Sequence, residues 1–374
     1  MKNNILIFFF SFVFTLPRFA LEESASCLSC HINPTGGAMR NDYGSNVYTL
    51  DELTIRKWIP KSDEDWDGYI TDNVQIGGEF RIQSYKSESG SATFPMQAEL
   101  YANIDINKDV NIYFELPMGQ NGLADNYDIF LLFNELPSNM WLKIGKTSPN
   151  YGLMIDDHTS FIKSGNGSKL NLIDDNVYFD SGLRDLFNPL NSKPILIETG
   201  FSFGKGLYLT LDVSQNLMGN YKDKFVNVVS TFTYMKDFKN WSLMLGSSLM
   251  KEKEMNLMGI FGGVSISKLT MTFELDRAYD LFDLDNYESS LAAYTQIVYK
   301  PIQGFHLVAK YDFFDYNESI QNGAINRYSY GFEFFPLNML EIKFQIRDYN
   351  TNYLVNNVKF DYSQEYLLQL HAWF

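Results

Sequence analysis

The chain has 374 residues and a formal net charge of −15, and 16% of its residues are aromatic. The acidic balance argues against a nucleic-acid partner, which requires a basic face. Beyond the N-terminal stretch, no segment contains the 18 or so consecutive apolar residues of a membrane-spanning helix. The aromatic content, with 24 Tyr and 31 Phe, instead favours a protein built from β-strands.

An export signal precedes the predicted fold. Lys2 gives a basic start, an almost wholly apolar run follows, and residues 17–20 close the segment. This pattern predicts a secretory signal peptide over residues 1–20, too short to cross a bilayer as a helix. Arg18 is a poor match to the small-residue cleavage pattern, but Ala20 is a reasonable last residue. Removal of this segment would leave a mature chain with a charge of about −17.

The only two cysteines of the chain lie in the sequence Cys27, Leu28, Ser29, Cys30 and His31. Two thiols separated by two residues and followed directly by His are what covalent haem attachment requires. Zinc would need two further Cys or His ligands nearby, and a redox disulfide would need a thioredoxin-like context. A plain structural disulfide with an accidental His stays open. Over these five residues the chain resembles cytochrome c attachment sites. The resemblance implies one covalent c-type haem, bound through Cys27 and Cys30, with His31 as the proximal iron ligand.

Residues 21–70 are predicted to form a periplasmic haem-binding segment. Pro34 and the glycines that follow force turns close to His31. Fifty residues are too few for a self-sufficient apolar core, and a covalent haem would supply one. The second axial ligand of the iron is open: the candidates are Met39, His306, His371 and His158, and a five-coordinate iron is a further alternative.

From Thr71 the apolar pattern changes to period two. Val74, Ile76, Phe80 and Ile82 alternate with polar residues, and the same alternation recurs over 96–105, 269–276 and 340–347. A soluble sandwich alternates too, but strands of about 10 residues sustained over this length are what a tilted membrane strand needs. Residues 71–374 are therefore predicted to form an all-β, transmembrane antiparallel β-barrel of the outer membrane.

Seven short turns are predicted to alternate with eight longer loops, which gives about sixteen strands with both termini on the short-turn side. In bacterial barrels the short turns face the periplasm. The predicted turns are 106–109, 136–139, 204–206, 237–240, 266–268, 301–304 and 336–338. The predicted longer loops lie near 86–93, 119–126, 147–193, 217–223, 251–254, 280–286, 317–323 and 350–360.

Two features resemble known outer-membrane proteins. Tyr366, Leu368, Leu370 and Ala372 alternate up to Phe374, which resembles the C-terminal signal read by the barrel assembly machinery. From about residue 71 onward the chain resembles the sixteen-stranded porins, whose third external loop folds inward and narrows the pore. Here the third external loop, 147–193, is the longest connection. The resemblance implies that it is a constriction loop, and a solvated outer loop is the alternative.

These observations predict a barrel in the outer membrane of a Gram-negative-type cell, with a haem that transfers electrons at its periplasmic mouth. Periplasmic or multihaem cytochromes would be its partners, since one haem cannot span a hydrocarbon core of ~30 Å. The alternative is a diffusion porin for small solutes, in which the haem segment acts as plug, gate or sensor. Arg81, Lys143, Lys343 and Arg347 also face the lumen, so the acidic charge leaves selectivity undecided. No enzyme is expected, because residues 27–44 supply no second His for peroxidase chemistry.

Overall fold

The computed structural model describes residues 17–24, 26–55, 68–88, 90–118, 126–163, 182–184, 193–204, 206–217, 225–280, 289–319, 324–351, 354–355, 358–359 and 363–374. Residues 1–16 of the predicted signal peptide, the C-terminal part of the predicted haem-binding segment (56–67), and most of the second half of loop 147–193 lie outside the described residues.

Sixteen antiparallel strands form a closed barrel in which every strand pairs with its neighbours in sequence, and the last strand pairs with the first. The prediction of a sixteen-stranded antiparallel barrel is therefore confirmed. The strands are β1 (Val74–Ser87), β2 (Gly90–Asn107), β3 (Val110–Pro117), β4 (Asp128–Leu136), β5 (Met140–Lys146), β6 (Ile195–Ser202), β7 (Leu207–Gln215), β8 (Phe225–Asp237), β9 (Trp241–Glu252), β10 (Met255–Ile266), β11 (Leu269–Tyr279), β12 (Ser289–Ile302), β13 (Phe305–Asp315), β14 (Ala324–Leu337), β15 (Leu340–Thr351) and β16 (Ser363–Trp373).

All seven predicted short turns fall between strands, but two of the predicted longer loops were wrong. Pairing continues to Ser87 opposite Gly90 and to Glu252 opposite Met255, so tight turns stand where longer loops were expected near 86–93 and 251–254. The polar residues there had suggested loops. Hydroxyl pairs such as Ser84 with Thr93, 2.8 Å apart, belong instead to the continuing ladder.

The two faces of the wall follow the alternation. On β1, Phe80 is 44% exposed on the outside, whereas its neighbour Arg81 is 3% exposed on the inside. The same holds on β13, where Leu307 is exposed and His306 and Val308 are buried. An apolar outer face suits lipid, and the polar side chains line the lumen.

The N-terminal elements lie inside the barrel. A helix, α1 (Pro17–Glu23), packs against β9, β10 and β11. A single 3₁₀ turn (Cys27–Ser29) and a π-helix (Tyr43–Leu53) follow, and a short strand (Tyr69–Thr71) pairs with β1 and leads into the wall. Residues 26–55 are called the lumenal segment below. Among the described residues, no helix has the length and apolarity needed to cross a bilayer.

Candidate functional site

The lumenal segment folds back on itself directly after His31. The amide of Ile32 donates to the carbonyl of Met39, at 3.2 Å, and the amide of Asn41 donates to the carbonyl of Cys30, at 2.8 Å. The loop between them turns at Gly36 and Gly37, whose φ values of +91° and +82° are unfavourable for any residue with a Cβ. The turn predicted from the glycine pair is thus present and brings residues 38–41 back to His31.

The two cysteines lie at either end of the 3₁₀ turn and are not joined by a disulfide. The carbonyl of Cys27 accepts hydrogen bonds from the amides of Cys30 and His31, at 3.1 and 3.0 Å, which holds the three side chains close together. Burial raises the pKa of the Cys27 thiol to about 11. Gly36 packs so closely that a Cβ there would lie 3.1 Å from the Cys27 sulfur.

His31 is buried and bonded through Nδ1 to the backbone. Its Nδ1 lies 3.2 Å from the carbonyl oxygen of Met39. A carbonyl can only accept, so Nδ1 carries the proton and Nε2 carries the ring lone pair. This is the arrangement that metal-binding imidazoles use, in which the far nitrogen is fixed by a backbone acceptor. Met39 consequently lies on the Nδ1 side of the ring, opposite to the nitrogen that would bind a metal.

Lys143, on the inner face of β5, holds the lumenal segment to the wall. Its Nζ donates to Asn33 Oδ1 and Thr35 Oγ1, at 3.2 and 3.3 Å. The same ammonium lies 2.6 Å from Glu198 on β6, and both side chains are 0% exposed. A buried pair of this kind is destabilising to break, because the remaining charge has no partner.

Replacing Lys143 with Met is expected to destabilise the folded protein by about 3–5 kcal/mol, since Glu198 would stay buried without its cation. The urea midpoint of unfolding in detergent measures the loss. Lys108→Met is the matched control, because that side chain is 84% exposed in a short turn. A Lys143→Met, Glu198→Gln double variant should recover much of the loss. Equal midpoints for Lys143→Met and Lys108→Met would contradict the assignment.

Two aromatic contacts add to this attachment. The amide of Met39 and the hydroxyl of Tyr113 on β3 are 3.3 Å apart, and the Met39 side chain packs among aromatic residues of β2, β3 and β4. The Arg40 guanidinium lies 4.6 Å from the ring centroid of Trp373 on β16. The lumenal segment therefore contacts strands on both sides of the barrel seam.

Cys30 belongs to an apolar cluster that joins the lumenal segment to the wall. We call it the Cys30 cluster; its members are Phe19, Cys30, Tyr48, Leu53, Phe335 and Trp373. His306, at the start of β13, borders it: its ring centroid is 5.1 Å from that of Phe335 and 6.2 Å from that of Phe19.

His371 also borders the Cys30 cluster, but its ring nitrogens face carboxylates. Its ring lies 4.9 Å from that of Trp373. Its Nδ1 is 3.2 Å from Glu341, and its Nε2 is 3.2 Å from Glu79. Both ring nitrogens are thus occupied by carboxylates of the neighbouring strands.

Asp156 of loop 147–193 completes a group that could hold a cation. Ligand atoms of Asp156, Glu341 and His371 lie within 4.8 Å of one another. Arg81 already pairs with Asp156, at 2.7 Å, so a metal ion would have to displace a guanidinium. Burial alone would raise the pKa of Asp156, but the charges of Arg81, His371 and Lys343 outweigh it and hold that pKa well below its usual range.

The described part of loop 147–193 lies against the inner wall of the far strands. The amide of Leu153 donates to Glu274 on β11, at 3.1 Å, and the Ser160 hydroxyl donates to Asp312 on β13, at 2.9 Å. The backbone carbonyl of Thr159 accepts from Arg327 on β14, at 2.8 Å. The loop is therefore attached across several strands inside the barrel.

His158 is the fourth histidine and lies within this loop. The neighbouring charge of Lys163, then burial and the charge of Arg81, lower the pKa of His158 to about 3. It is therefore neutral near pH 7. The structure thus brings His306 and His371 against members of the cluster that holds Cys30, whereas His158 lies close to the charges of Lys163 and Arg81.

Several residues of this site were not identified from sequence. Glu79, Glu198, Tyr113 and Phe335 are inward-facing members of regular strands. Alternation predicts the face on which each one lies, but not that the lumenal segment would pack against it. The sequence signal that could have indicated these contacts is an inward-facing aromatic residue next to a turn, such as Phe335.

No protein-family model and no curated protein matches the sequence. Among solved structures, the chain is similar to OmpT, an outer-membrane protein of Vibrio cholerae, with a TM-score of 0.56 and 11% identity over 82% of this chain and 99% of that one. It is also similar to an anion-selective porin from Comamonas acidovorans, with a TM-score of 0.52 and 10% identity over 80% and 99%. For the outer-membrane channel DcaP of Acinetobacter baumannii the values are 0.53 and 12%, over 82% and 99%.

Identities this low show the fold alone. Each of these structures is matched over nearly its whole length. The chain therefore has the closed, sixteen-stranded barrel fold of outer-membrane porins and channels.

Proposed function

We propose that the protein is a diffusion channel for small solutes in the outer membrane and that the lumenal segment is its plug. The observation that carries this proposal is the position of residues 26–55, which are hydrogen-bonded to inner-wall side chains such as Lys143 and Tyr113. A segment attached in this way narrows any path through the barrel. The solved neighbours named as an anion-selective porin and an outer-membrane channel support a transport role.

The plug belongs to the periplasmic half of the channel. Ile55 donates its amide to the carbonyl of Phe335, at 3.2 Å, close to the short turn between β14 and β15. Gln303, in the short turn between β12 and β13, donates to the carbonyl of Asp51, at 2.9 Å. Short turns face the periplasm in bacterial barrels, and this supports a periplasmic position for the N-terminal segment.

Loop 147–193 forms the second obstruction. Asp156 and Asp157 of the loop pair with Arg81 and Lys310 of the wall, so charges of both signs lie inside the barrel next to the loop. Charged rings at such a position set which ions pass. This supports the assignment of the loop as a constriction loop.

Planar-bilayer recording of the purified mature protein tests the channel. We expect discrete current steps and expect Arg81→Gln to shift the reversal potential in a KCl gradient toward cation selectivity, because a positive side chain is lost next to Asp156. Lys108→Met, which removes a charge from an exposed turn, is the control and should leave the reversal potential unchanged. Absence of current steps from folded wild-type protein at every voltage would disprove the channel.

A second function is favoured by the geometry at His31: a covalent c-type haem carried by the plug. The two neighbouring cysteines are not joined by a disulfide, and the His31 imidazole is bonded through Nδ1 in the manner of a metal ligand. In the attachment, each Cys sulfur bonds to one vinyl carbon and the thiol hydrogen moves to the other, so no oxidant is consumed. Cys27 and Cys30 would hold the haem, and His31 would be the proximal ligand.

When bound, the haem would supply one-electron transfer by its iron. A single haem on the periplasmic side cannot carry electrons across a core of ~30 Å, so electron transfer would depend on further cytochromes at that surface. A c-type absorption band in the reduced protein, with a mass increase equal to one haem, is the result expected. Protein of unmodified mass, made in a cell that attaches haem to other proteins, would exclude this function.

A further inference from the structure

Phe19 packs against both the Cys30 cluster and His306. It is a buried member of the Cys30 cluster, and its ring centroid lies 5.6 Å from that of Tyr48 and 6.2 Å from that of His306. Its neighbour Arg18 pairs with Glu333 on β14, at 2.6 Å. Both residues lie within residues 1–20, the predicted signal peptide. Processing after Ala20 would therefore remove the side chains that fill this part of the lumen.

The space left by Phe19 would be bordered by the aromatic members of the Cys30 cluster. A small pocket already adjoins Pro17 and Arg18 and extends to Tyr294, Lys310 and Glu333, and most of its other lining side chains are charged or polar. Without Phe19 and Arg18 it would continue to the remaining members of the Cys30 cluster. Aromatic walls with one cysteine among them suit a flat, apolar ring system that is bonded through sulfur.

The new N-terminus would stay where it is. The carboxylate of Glu22 accepts from the Thr270 hydroxyl, at 2.8 Å, and pairs with Lys300. Leu21 is fully buried among the residues that hold loop 147–193. Residues 21–23 therefore keep their wall contacts after cleavage, and the vacated space keeps its shape.

His306 is distinguished from the other candidate ligands by what its ring nitrogens contact. It is 1% exposed, and its Nδ1 has no hydrogen-bond partner among the described residues; the nearest carboxylate oxygen, on Glu333, is 3.9 Å away. His371 has carboxylates at both nitrogens, and Met39 lies on the Nδ1 side of His31. A buried polar atom without a hydrogen-bond partner costs free energy of folding. Binding to a cofactor in the adjoining space would explain such an atom at His306.

We propose that signal-peptide removal exchanges Phe19 for the haem ring and that His306 is the second axial ligand of the haem iron. This inference rests on the proposed covalent haem. The haem iron would also give the His306 imidazole, whose Nδ1 has no hydrogen-bond partner among the described residues, a partner on the inner side of the wall. The side chains of the Cys30 cluster would then cover the ring and exclude water from it.

The test is the spin state of the ferric haem in the mature protein, made in cells that attach c-type haem. Wild type is expected to be low-spin with two imidazole ligands in its electron paramagnetic resonance spectrum. His306→Ala should become high-spin, and added imidazole should restore the low-spin signal. His371→Ala and His158→Ala are matched controls that should keep the wild-type spectrum. Circular dichroism of the β-sheet checks that each variant is folded, and imidazole rescue separates ligand loss from a distorted site.

The outcomes separate this inference from the haem itself. Protein without covalent haem contradicts the proposed cofactor. Covalent haem that stays low-spin in folded His306→Ala overturns the ligand assignment, as does a high-spin wild type. Intact mass gives the N-terminus: a haem-loaded chain that still contains residues 17–20 would overturn the exchange with Phe19.

Discussion

Covalent haem is expected to disappear completely when Cys27 and Cys30 are both replaced with Ser. The hydroxyl has nearly the volume of the thiol but does not form the thioether, so the lumenal segment can keep its fold while losing attachment. Both sulfurs lie on one 3₁₀ turn, held by amide bonds to the Cys27 carbonyl that the change leaves intact. Intact mass should show the bare polypeptide, and the reduced protein should lack the c-type absorption band.

The single variants are the internal controls for this experiment. Cys27→Ser and Cys30→Ser should each retain one thioether and shift the absorption band toward that of a haem with one free vinyl group. Met39→Leu removes a sulfur from the same segment without touching attachment, and it should load haem fully. A double variant that still carried the mass of a haem would show that these thiols do not hold it.

Channel conductance is expected to rise several-fold when residues 26–55 are deleted from the mature chain. The segment lies inside the barrel, and the wall side chains that hold it, such as Lys143 and Tyr113, are polar enough to face water once it is gone. The wall itself is closed by its own strand pairing, from β16 to β1, without these residues. Single-channel conductance in planar bilayers gives the comparison.

The Cys27→Ser, Cys30→Ser double variant separates the plug from the haem. It keeps the whole segment but loses covalent attachment, so its conductance should stay close to that of the wild type. If the deletion left the conductance unchanged while circular dichroism showed a folded barrel, the segment would not obstruct the path. If the double variant conducted as well as the deletion, haem rather than polypeptide would close the channel.

The wall could be predicted from the sequence because apolar and polar residues alternate along each strand with the face on which they lie. Phe80 and Arg81 are neighbours that face lipid and lumen, and period two follows directly from the strand backbone. Polar turns interrupt this alternation, and counting them predicted the correct number of strands. The same reasoning failed at 86–93 and 251–254, because these strand ends carry polar residues on both faces and therefore look like loops.

The interior of the barrel could not be predicted in the same way. His306 contacts both Phe19 and Phe335, although Phe19 is almost 300 residues away from it in the chain. His371 contacts Glu79 because the last strand pairs with the first. Local patterns identify which residues point inward but not which inward residues share a space. The haem predicted from the pentapeptide at 27–31 stays a prediction; it needs no knowledge of distant neighbours, since its chemistry is contained within five consecutive residues.

The pairing of the last strand with the first determines the order in which parts of the barrel can assemble. The barrel is complete only when β16 reaches β1, and β16 is the last strand to be exported, whereas the lumenal segment precedes every wall strand in the chain. If the chain is exported as its N-terminal pattern predicts, the wall closes around a segment that has already left the cytoplasm. A group as bulky as a porphyrin could then be attached to that segment in the periplasm before the barrel closes around it. It would not have to pass through the mouth of the finished barrel.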